Sequence, residues 1–272
     1  MRERSPQILR YINLFRHVLN PGKYLALKLG FTREDPLEFI LKGGLRLYVP
    51  KIRLHDFKMI IMDNCYLKGF KSNVFTGIGE MVVVDVGANL GFFSLYVKSI
   101  FPEAKVYCIE PLEENYDFLL QNIHMNRHIA DSLITLKSAI CSESGTITLY
   151  ASKNERFLTA ASMLRTNCEA VRYQVPALSF ADFSSQYSLA EVSLLKLDCE
   201  GAEYDILYHC NQADLEKVDN IAIEVHRGAG DQENIEALSF FLNNIGFSCC
   251  VASDRKFIWA SRDANKLVQP TM

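Results

Sequence analysis

The spacing of hydrophobic positions changes near residue 80 and divides the chain into two regions. Beyond that point, short apolar runs alternate with amphipathic segments. The first run, residues 81–87, is rich in valine and is too apolar for a strand with one solvated face. We therefore expect this strand at the centre of a sheet that helices cover on both faces.

Strands and helices alternate through the rest of this region. Apolar runs predict strands at residues 81–87, 105–111, 133–140, 193–201 and 220–226. Amphipathic segments predict helices at residues 91–101, 112–127, 179–187, 202–210 and 232–245. Such alternation builds a parallel sheet with right-handed crossovers, so the sequence predicts an α/β fold. Two more predicted strands, residues 146–151 and 171–177, interrupt the series.

The C-terminal end departs from the parallel pattern. Strands are predicted at residues 247–253 and 256–262, and only Asp254 and Arg255 separate them. A connection this short is typical of a β-hairpin. The mostly parallel sheet is therefore expected to end in an antiparallel hairpin.

The chain begins with a basic amphipathic arm, residues 1–35. Residues 7–19 carry apolar side chains at spacings of three and four, which predicts a helix that ends before Pro21. The first 33 residues hold seven basic residues against one acid. The helix either packs on the main domain or rests on an anionic membrane or an acidic substrate.

A second N-terminal segment, residues 36–79, follows the arm. Gly43 and Gly44 lie between apolar residues and indicate a hairpin, in which residues 45–50 alternate as a strand does. Residues 54–68 are predicted to be helical. We interpret this segment as a cover on the main domain that could form part of a substrate site.

Composition narrows the class of protein. With 272 residues, 49% of them hydrophobic and 22% charged, the chain can bury a sizeable core, which excludes disorder as its main state. The net charge of −3 provides no bulk positive field, so a dedicated nucleic-acid binder is not expected.

Targeting and redox signals predict a soluble, cytoplasmic protein. No apolar stretch approaches the roughly 18 residues of a membrane span, and Arg10 and Arg16 interrupt the N-terminal apolar region where a signal peptide would be. The eight cysteines include no C-x-x-C pair and no zinc-like cluster, so we expect reduced thiols.

The turn between the first strand and the first helix of the sheet carries the strongest chemical signal. It has the sequence D-V-G-A-N-L-G, from Asp85 to Gly91. A ligand of a doubly wound sheet lies outside the carboxyl ends of the strands, and Gly87 lets the backbone approach it. The turn does not match the G-x-G-x-x-G of dinucleotide sites, and Asp85 favours a cation over a phosphate. S-adenosylmethionine, which carries a sulfonium and an ammonium group, therefore fits this turn better than a dinucleotide.

Glu110 ends the second strand about 20 residues beyond the turn, where a carboxylate can accept both ribose hydroxyls of a cofactor. A surface glutamate at a strand end is the alternative interpretation. Together with the Asp85 turn, Glu110 favours the ribose interpretation.

Four segments, in this order and spacing, resemble the FkbM family of S-adenosylmethionine-dependent methyltransferases. They are D-V-G-A-N-L-G-F-F-S (85–94), I-E-P (109–111), L-K-L-D-C-E-G-A-E (195–203) and I-E-V-H (223–226). The resemblance covers roughly residues 40–262 and leaves the first 35 residues outside. It implies a class I methyltransferase (Rossmann-like) domain at residues 80–262, followed by a tail, residues 263–272.

The resemblance implies a seven-stranded sheet whose last strand is antiparallel, with helices on both faces. It also implies O-methylation of a hydroxyl on a sugar, a glycan or a secondary metabolite. The cofactor contacts that it implies are Asp85, Gly87, Asn89 and Gly91 for the methionine part, Glu110 for the ribose, Ser138 and Ala139 for the adenine, and Phe92, Phe93 and Ser94 beneath the cofactor. Ala88, Pro111 and Asp198 are also expected to bind the cofactor.

The chemical end of the site is expected after the fourth and fifth strands. Asp198 would face the sulfonium or the acceptor hydroxyl, and Glu200 would hold substrate or backbone amides. His226 titrates near neutral pH and is the leading candidate for the general base. Glu203 is either solvated in the first turn of the next helix or part of this group.

A metal ion is an alternative occupant of this end. Asp198, Glu224 and His226 could hold magnesium or manganese, although no local spacing enforces that geometry. We predict no metal ligand. A non-catalytic binding protein with this fold and a nucleotide-dependent dehydrogenase are the alternative functions.

The acceptor side of the site is the least determined by sequence. Residues 156–164 lie between the third and fourth strands, and they either flank the acceptor or form an ordinary polar connection. Four polar residues in this segment and just beyond it would suit a phosphorylated or anionic acceptor. They are Arg156, Ser162, Arg165 and Arg172.

Overall fold

The computed structural model describes residues 7–75, 80–152 and 170–268, and it begins with two short helices and a two-stranded sheet. These elements are α1 (Gln7–His17), α2 (Gly22–Lys28), β1 (Leu37–Ile40) and β2 (Arg46–Val49). The two strands pair antiparallel across a tight connection in which Gly43 and Gly44 both have positive φ, so the predicted hairpin is confirmed.

The helical segment after the hairpin is shorter than predicted. Helix α3 (Leu54–Phe57) continues into one π-helical turn, Lys58–Met62, and the chain then leaves the helical path. Asn64 has a left-handed φ of 49°, which ends a helix. The prediction of one helix over residues 54–68 is therefore wrong beyond Met62.

A seven-stranded sheet forms the centre of the molecule. Its strands are β3 (Val82–Val86), β4 (Lys105–Ile109), β5 (Leu133–Leu136), β9 (Leu194–Leu197), β10 (Asn220–Glu224), β11 (Ser248–Val251) and β12 (Phe257–Ser261). The order across the sheet is β11-β12-β10-β9-β3-β4-β5, in which β12 pairs antiparallel with both β10 and β11 and the remaining pairs are parallel. The predicted parallel sheet with a C-terminal antiparallel hairpin is confirmed.

Helices cover both faces of this sheet, as the resemblance implied, so the α/β class I methyltransferase fold is confirmed. They are α4 (Phe92–Ile100), α5 (Glu113–His124), α6 (Phe180–Gln186), α7 (Ala202–His209), α8 (Gln212–Leu215) and α9 (Ile235–Asn244). Short 3-10 turns lie at Lys42–Gly44, Lys51–Arg53, Arg127–Ser132 and Ala264–Lys266.

One predicted strand is divided between two sheets. Residues 133–140 were expected as a single strand, but only β5 belongs to the central sheet. After Ser138 the chain joins a three-stranded sheet of β6 (Ala139–Cys141), β7 (Gly145–Ser152) and β8 (Ala170–Ser179), in the order β6-β8-β7. All three residues of β6 are buried, whereas in β5 only Leu133 is, and the break falls at the polar pair Lys137 and Ser138.

The N-terminal segments share a core with one face of the central sheet. Leu14 of the arm and Phe39 and Phe57 of the cover are fully buried in the cluster that contains Val83 and Val106 of the sheet. The core therefore crosses the predicted boundaries at residues 35 and 79.

Two side-chain amides also attach the cover to the main domain. Asn122 and Asn126, on α5 and just after it, hydrogen-bond to the backbone of Tyr48 and Arg46 in β2. The amides satisfy the backbone N–H and C=O groups on the edge of β2 that faces α5. These hydrogen bonds hold the cover against α5.

Among the described helices, none has the length and apolar character needed to cross a bilayer. The cysteines of the described residues are free thiols, including the buried Cys65 and Cys108.

Candidate active site

A cavity of about 260 Å³ lies at the carboxyl ends of β3, β4, β9 and β10. Parallel strands bring their carboxyl ends to one edge, where doubly wound sheets bind ligands. The cover closes the cavity from the other side with Arg53, His55, Asp56, Met59, Ile60 and Tyr66. The site therefore combines residues of the main domain and of the cover.

The turn after β3 lines one side of the cavity through Gly87, Ala88 and Asn89. Gly87 has a φ of +74°, and a Cβ there would lie 1.9 Å from the carbonyl oxygen of Asp198. Only glycine lets the turn pass this close to the end of β9. The Oδ1 atom of Asn89 is buried and has no hydrogen-bond partner among the described residues.

Glu110 lies at the end of β4, as predicted, and its carboxylate lines the cavity. Its Oε2 atom accepts the backbone N–H of Asn89 at 2.9 Å, and its Oε1 atom accepts the backbone N–H of Leu112 at 3.0 Å. Burial raises the pKa of Glu110 to about 7, although these hydrogen bonds act in the opposite direction. The Oε1 atom also accepts the side-chain amide of Asn115 at 3.4 Å, so Oε2 is the oxygen with a further lone pair that can accept a hydroxyl of a ligand.

Five more of the predicted cofactor residues also line the cavity. They are Phe92, Phe93, Pro111, Ser138 and Ala139. Ser138 lies at the break between β5 and β6, and its hydroxyl donates to the carbonyl of Pro176 at 3.1 Å. The break between the two sheets therefore forms one wall of the cavity.

Three predicted contacts do not line the cavity, and Asp85 is the most important of them. Its carboxylate is fully buried, accepts the Ser94 hydroxyl at 2.6 Å and lies 3.0 Å from the Lys196 ammonium. The expectation that Asp85 faces a cationic cofactor is corrected, because its charge is neutralised inside the protein. Ser94 is also fully buried, because its hydroxyl donates to Asp85 and not to a ligand in the cavity.

Gly91 is the third of these residues, and its role is in packing. It begins α4 with a φ of +82°, and a Cβ at this position would lie 2.5 Å from Cδ1 of Leu119 in α5. The glycine therefore allows close contact between two helices, rather than contact with a ligand.

Lys196, the lysine of the segment 195–203, is a buried cation to which the sequence assigned no role. Its ammonium donates to the carbonyl of Gly87 at 2.8 Å and pairs with Asp85 and, at 3.7 Å, with Asp198. Burial alone lowers the pKa of Lys196, but Asp85 and Asp198 outweigh burial and raise it. Lys196 stays charged and holds the glycine turn against β9.

Tyr66 of the cover connects the acids that follow β9 and β10. Its hydroxyl lies 2.6 Å from Oδ2 of Asp198 and 3.1 Å from Oε2 of Glu224. A phenol has one proton to donate, so both contacts are full hydrogen bonds only when one carboxyl group is protonated. Burial, and then the charge of Asp198, raise the pKa of Glu224 to about 7, so Glu224 can take up this proton near neutral pH.

His226 is held by Glu203, which is fully buried. Oε1 of Glu203 accepts the backbone N–H of His226 at 2.7 Å and lies 3.3 Å from its Nδ1 atom. The Nε2 atom of His226 lies 3.6 Å from Oε2 of Glu200. The structure thus excludes the solvated interpretation of Glu203.

The protonation states at this end differ from the sequence expectation. Burial lowers the pKa of His226, but Glu203 and Glu200 outweigh it and raise the pKa to about 9. Burial raises the pKa of Glu200 to about 7. At neutral pH His226 is an imidazolium, whereas Glu200 is poised to exchange a proton.

One group of described side chains also has the spacing of metal ligands. Ligand atoms of Asp198, Glu200 and His226 all lie within 4.8 Å of one another. This group contains Glu200, whereas the sequence interpretation had Glu224 as the third ligand.

The sequence interpretation named none of the cover residues that line the cavity, and Tyr66 and Arg53 are two of them. Tyr66 lies in a segment of weak patterning, and Arg53, which pairs with Asp56, lies in a 3-10 turn. Neither has a local signal in the sequence. Arg172 is exposed on β8 and is not a lining residue, while Arg156, Ser162 and Arg165 lie outside the described residues.

Comparison with known proteins identifies a methyltransferase family. The family described as Methyltransferase FkbM domain matches residues 85–249. This match begins at the Asp85 turn and extends into β11, so it includes each strand end that lines the cavity.

Curated proteins with related sequences bear methyltransferase names. Methyltransferase sdnD of Sordaria araneosa is 31% identical over 213 residues, which cover 67% of this chain and 78% of that protein. The 31-O-demethyl-FK506 methyltransferase FkbM of Streptomyces tacrolimicus is 25% identical over 228 residues, which cover 74% and 84%. A solved methyltransferase from Agrobacterium tumefaciens, described as SAM dependent, shares 8% identity and a TM-score of 0.48 over 85% of this chain and 72% of its own.

Proposed function

The chain belongs to the FkbM methyltransferase family, and we propose that it transfers a methyl group from S-adenosylmethionine to a hydroxyl of a small molecule or glycan. The observation that carries this proposal is the single cavity that joins Glu110 to the acids beyond β9 and β10. One end offers acceptors for a ribose, and the other offers groups that can accept a proton.

S-adenosylmethionine fits the residues of the first end. Glu110 has a free lone pair on Oε2 and would accept a ribose hydroxyl there. The unpartnered Oδ1 atom of Asn89 would accept the ammonium group of the methionine part. Ser138 and Ala139 would flank the adenine. When bound, the cofactor supplies a methyl carbon that positive sulfur activates.

The charge of the second end supports a cationic ligand. Asp198, Glu200 and Glu224 converge there, while the nearby cations Lys196 and His226 are shared between these acids and the buried carboxylates Asp85 and Glu203. Buried carboxylates without full compensation favour a cation in their neighbourhood. The sulfonium of S-adenosylmethionine has the charge that this end lacks.

Glu200 is the proposed acceptor of the hydroxyl proton. Its pKa of about 7 matches a general base that works near neutral pH. His226 carries a proton at that pH and, in this proposal, stabilises the ionised form of Glu200 instead of acting as the base. Asp198, held by Tyr66, orients the acceptor hydroxyl. The main contribution of the protein is alignment in a site that excludes water.

O-methylation is proposed because one relative is named a 31-O-demethyl-FK506 methyltransferase and because the site holds carboxylates near the transfer position.

The proposal is tested in two stages. Calorimetry with S-adenosylhomocysteine should show binding, and loss of that binding in Glu110→Gln should accompany it. Extracts of the host organism should then be incubated with 13C-methyl-labelled cofactor, and labelled products identified by mass spectrometry. The carbon shift of the label distinguishes a methoxy group from an N-methyl or C-methyl group. Absence of cofactor binding by folded protein, or a label found only on nitrogen or carbon, contradicts the proposal.

A further inference from the structure

An apolar stripe on helix α1 faces away from the protein. Ten large hydrophobic side chains are exposed in the described part of the chain, and seven of them lie between residues 8 and 31. Ile8, Ile12 and Phe15 are 72%, 51% and 59% exposed, and their spacing of four and three places them on one side of α1. Leu19 continues the stripe just beyond the helix. Single exposed apolar residues are ordinary, but a contiguous set indicates a binding surface.

The opposite side of α1 is anchored to the protein. Leu14 is fully buried, the Asn13 amide donates to the carbonyl of Met62 at 2.9 Å, and Arg10 pairs with Asp63. The helix therefore cannot turn its apolar stripe inward without losing these contacts. The stripe is exposed because the core uses the other side of the same helix.

Basic side chains border the stripe on both sides. Arg16 follows Phe15 and is exposed, and its helical position lies beside Ile12. On the other side, the Lys28 ammonium donates to the Tyr11 hydroxyl and lies 5.2 Å from the centre of that ring. Neither cation is paired with a carboxylate among the described residues. The sequence contains no acidic residue from position 4 to position 33.

We propose that this surface, the α1 stripe with Arg16 and Lys28, docks the protein on an anionic lipid membrane. An apolar helix face with a cationic border is the arrangement of helices that lie in the membrane interface. The stripe enters the boundary between headgroups and acyl chains, while the two cations remain at the level of the lipid phosphates. A protein partner of opposite charge has no comparable support, because the exposed centre of the surface is aliphatic and aromatic.

The surface also lies next to the cover of the cavity. Helix α1 packs against the π-helical turn Lys58–Met62, from which Met59 and Ile60 line the cavity. Docking through α1 would therefore place the cover close to the bilayer. Membrane binding does not depend on the proposed methyl transfer, and each can fail without the other.

The test uses the full chain and sedimentation with sucrose-loaded vesicles. One vesicle preparation contains phosphatidylcholine alone, and the other contains phosphatidylcholine with phosphatidylglycerol. The apolar variant is Ile12→Ser/Phe15→Ser, and its control is Phe240→Ser, which changes a side chain that is 68% exposed on α9. The charge variant is Arg16→Glu/Lys28→Glu, and its control is Lys71→Glu/Arg127→Glu, which makes the same change in net charge.

We expect wild type to bind the mixed vesicles, to bind phosphatidylcholine weakly, and to dissociate as salt is added. The apolar variant and the charge variant should each bind the mixed vesicles about tenfold more weakly than wild type, while both controls bind as wild type does. All substituted side chains are exposed, and circular dichroism checks that every variant is folded. Failure of wild type to bind mixed vesicles, or equal binding by variants and controls, overturns the proposal. A dimer that Phe15→Ser dissociates, without vesicle binding, also overturns it and assigns the surface to a second copy.

Discussion

Glu203 accepts hydrogen bonds from His226 through one carboxylate oxygen, at 2.7 Å from the backbone nitrogen and 3.3 Å from Nδ1. A buried carboxylate in this position favours the imidazolium, and the pKa of His226 is raised to about 9. Glu203 is thus a positioning residue that directs Nε2 of His226 toward Glu200. The same contact makes His226 a poor base at neutral pH.

Glu203→Gln should lower the pKa of His226 from about 9 toward its ordinary value of 6.5, because the negative charge is removed. Titration of the His226 ring by NMR measures the shift. Glu216→Gln, which changes an exposed glutamate, is the control and should leave the His226 titration unchanged. An unchanged pKa in the Glu203 variant would contradict the assigned role.

The same pair predicts a pH dependence of stability. The folded-state pKa of His226 lies above its unfolded value of 6.5, so its contribution is fully present below pH 6.5 and is lost as pH rises through about 9. The difference in free energy of unfolding between wild type and Glu203→Gln should shrink over that range. Urea denaturation at several pH values measures it, and a difference that grows with pH would refute the expectation.

Glu110→Gln should weaken binding of S-adenosylhomocysteine by about tenfold or more, because a buried acceptor is replaced by a group whose NH₂ opposes a backbone N–H. Glu113→Gln is a matched control, since Glu113 is exposed and pairs only with Lys137 at 2.8 Å among its described contacts. Calorimetry compares the two. Binding by wild type should also strengthen as pH rises through about 7, where Glu110 ionises, and this dependence should disappear in Glu110→Gln.

Tyr66→Phe should lower turnover by about tenfold while changing cofactor affinity little, because the lost hydroxyl supports Asp198 and Glu224 at the reacting end. The hydrogen bond from Tyr66 lowers the pKa of Glu224, so the titration of the Glu224 carboxyl group, followed by NMR, should move to higher pH in the variant. Tyr96→Phe is the control, since the Tyr96 hydroxyl is equally buried but has no hydrogen-bond partner among the described residues. A turnover loss equal to that of the control would remove Tyr66 from the site's function.

Gly87→Ala should destabilise the protein by about 3 kcal/mol or more, because its Cβ would meet the Asp198 carbonyl at 1.9 Å and its φ is +74°. Gly44→Ala is the control, with a φ of +80° and no atom within 4 Å of the added Cβ. The control should cost only the backbone strain of about 1 kcal/mol. Urea denaturation measures the free energy of unfolding of both variants. An equal loss in Gly87→Ala and Gly44→Ala would show that the backbone near Asp198 moves aside at low cost.

Most of the central sheet could be predicted because its signals are local. The strands ending at Val86, Ile109 and Leu197 are apolar runs bounded by glycine or acidic residues, and the antiparallel end follows from a two-residue connection. The break at Ser138 was not predicted, since Lys137 and Ser138 lie between apolar residues and are compatible with a single strand that has one exposed face. The end of the helical segment at Met62 was also missed, because tertiary contacts of the following residues decided it.

The sequence by itself determined the fold class, the family and the residues at the strand ends, including Glu110, Asp198, Glu200 and His226. Periodicity and turn composition act over a few residues, so they are visible in one dimension. The tertiary structure alone decided the partner of each charged group. Asp85 pairs with Lys196, His226 pairs with Glu203, and Asp198 accepts a hydrogen bond from Tyr66, which is 132 positions away. Partners of this kind depend on how distant segments pack, and packing sets the burial that shifts each pKa. For that reason the sequence located the acids of the site, whereas the structure decided which of them can hold a proton.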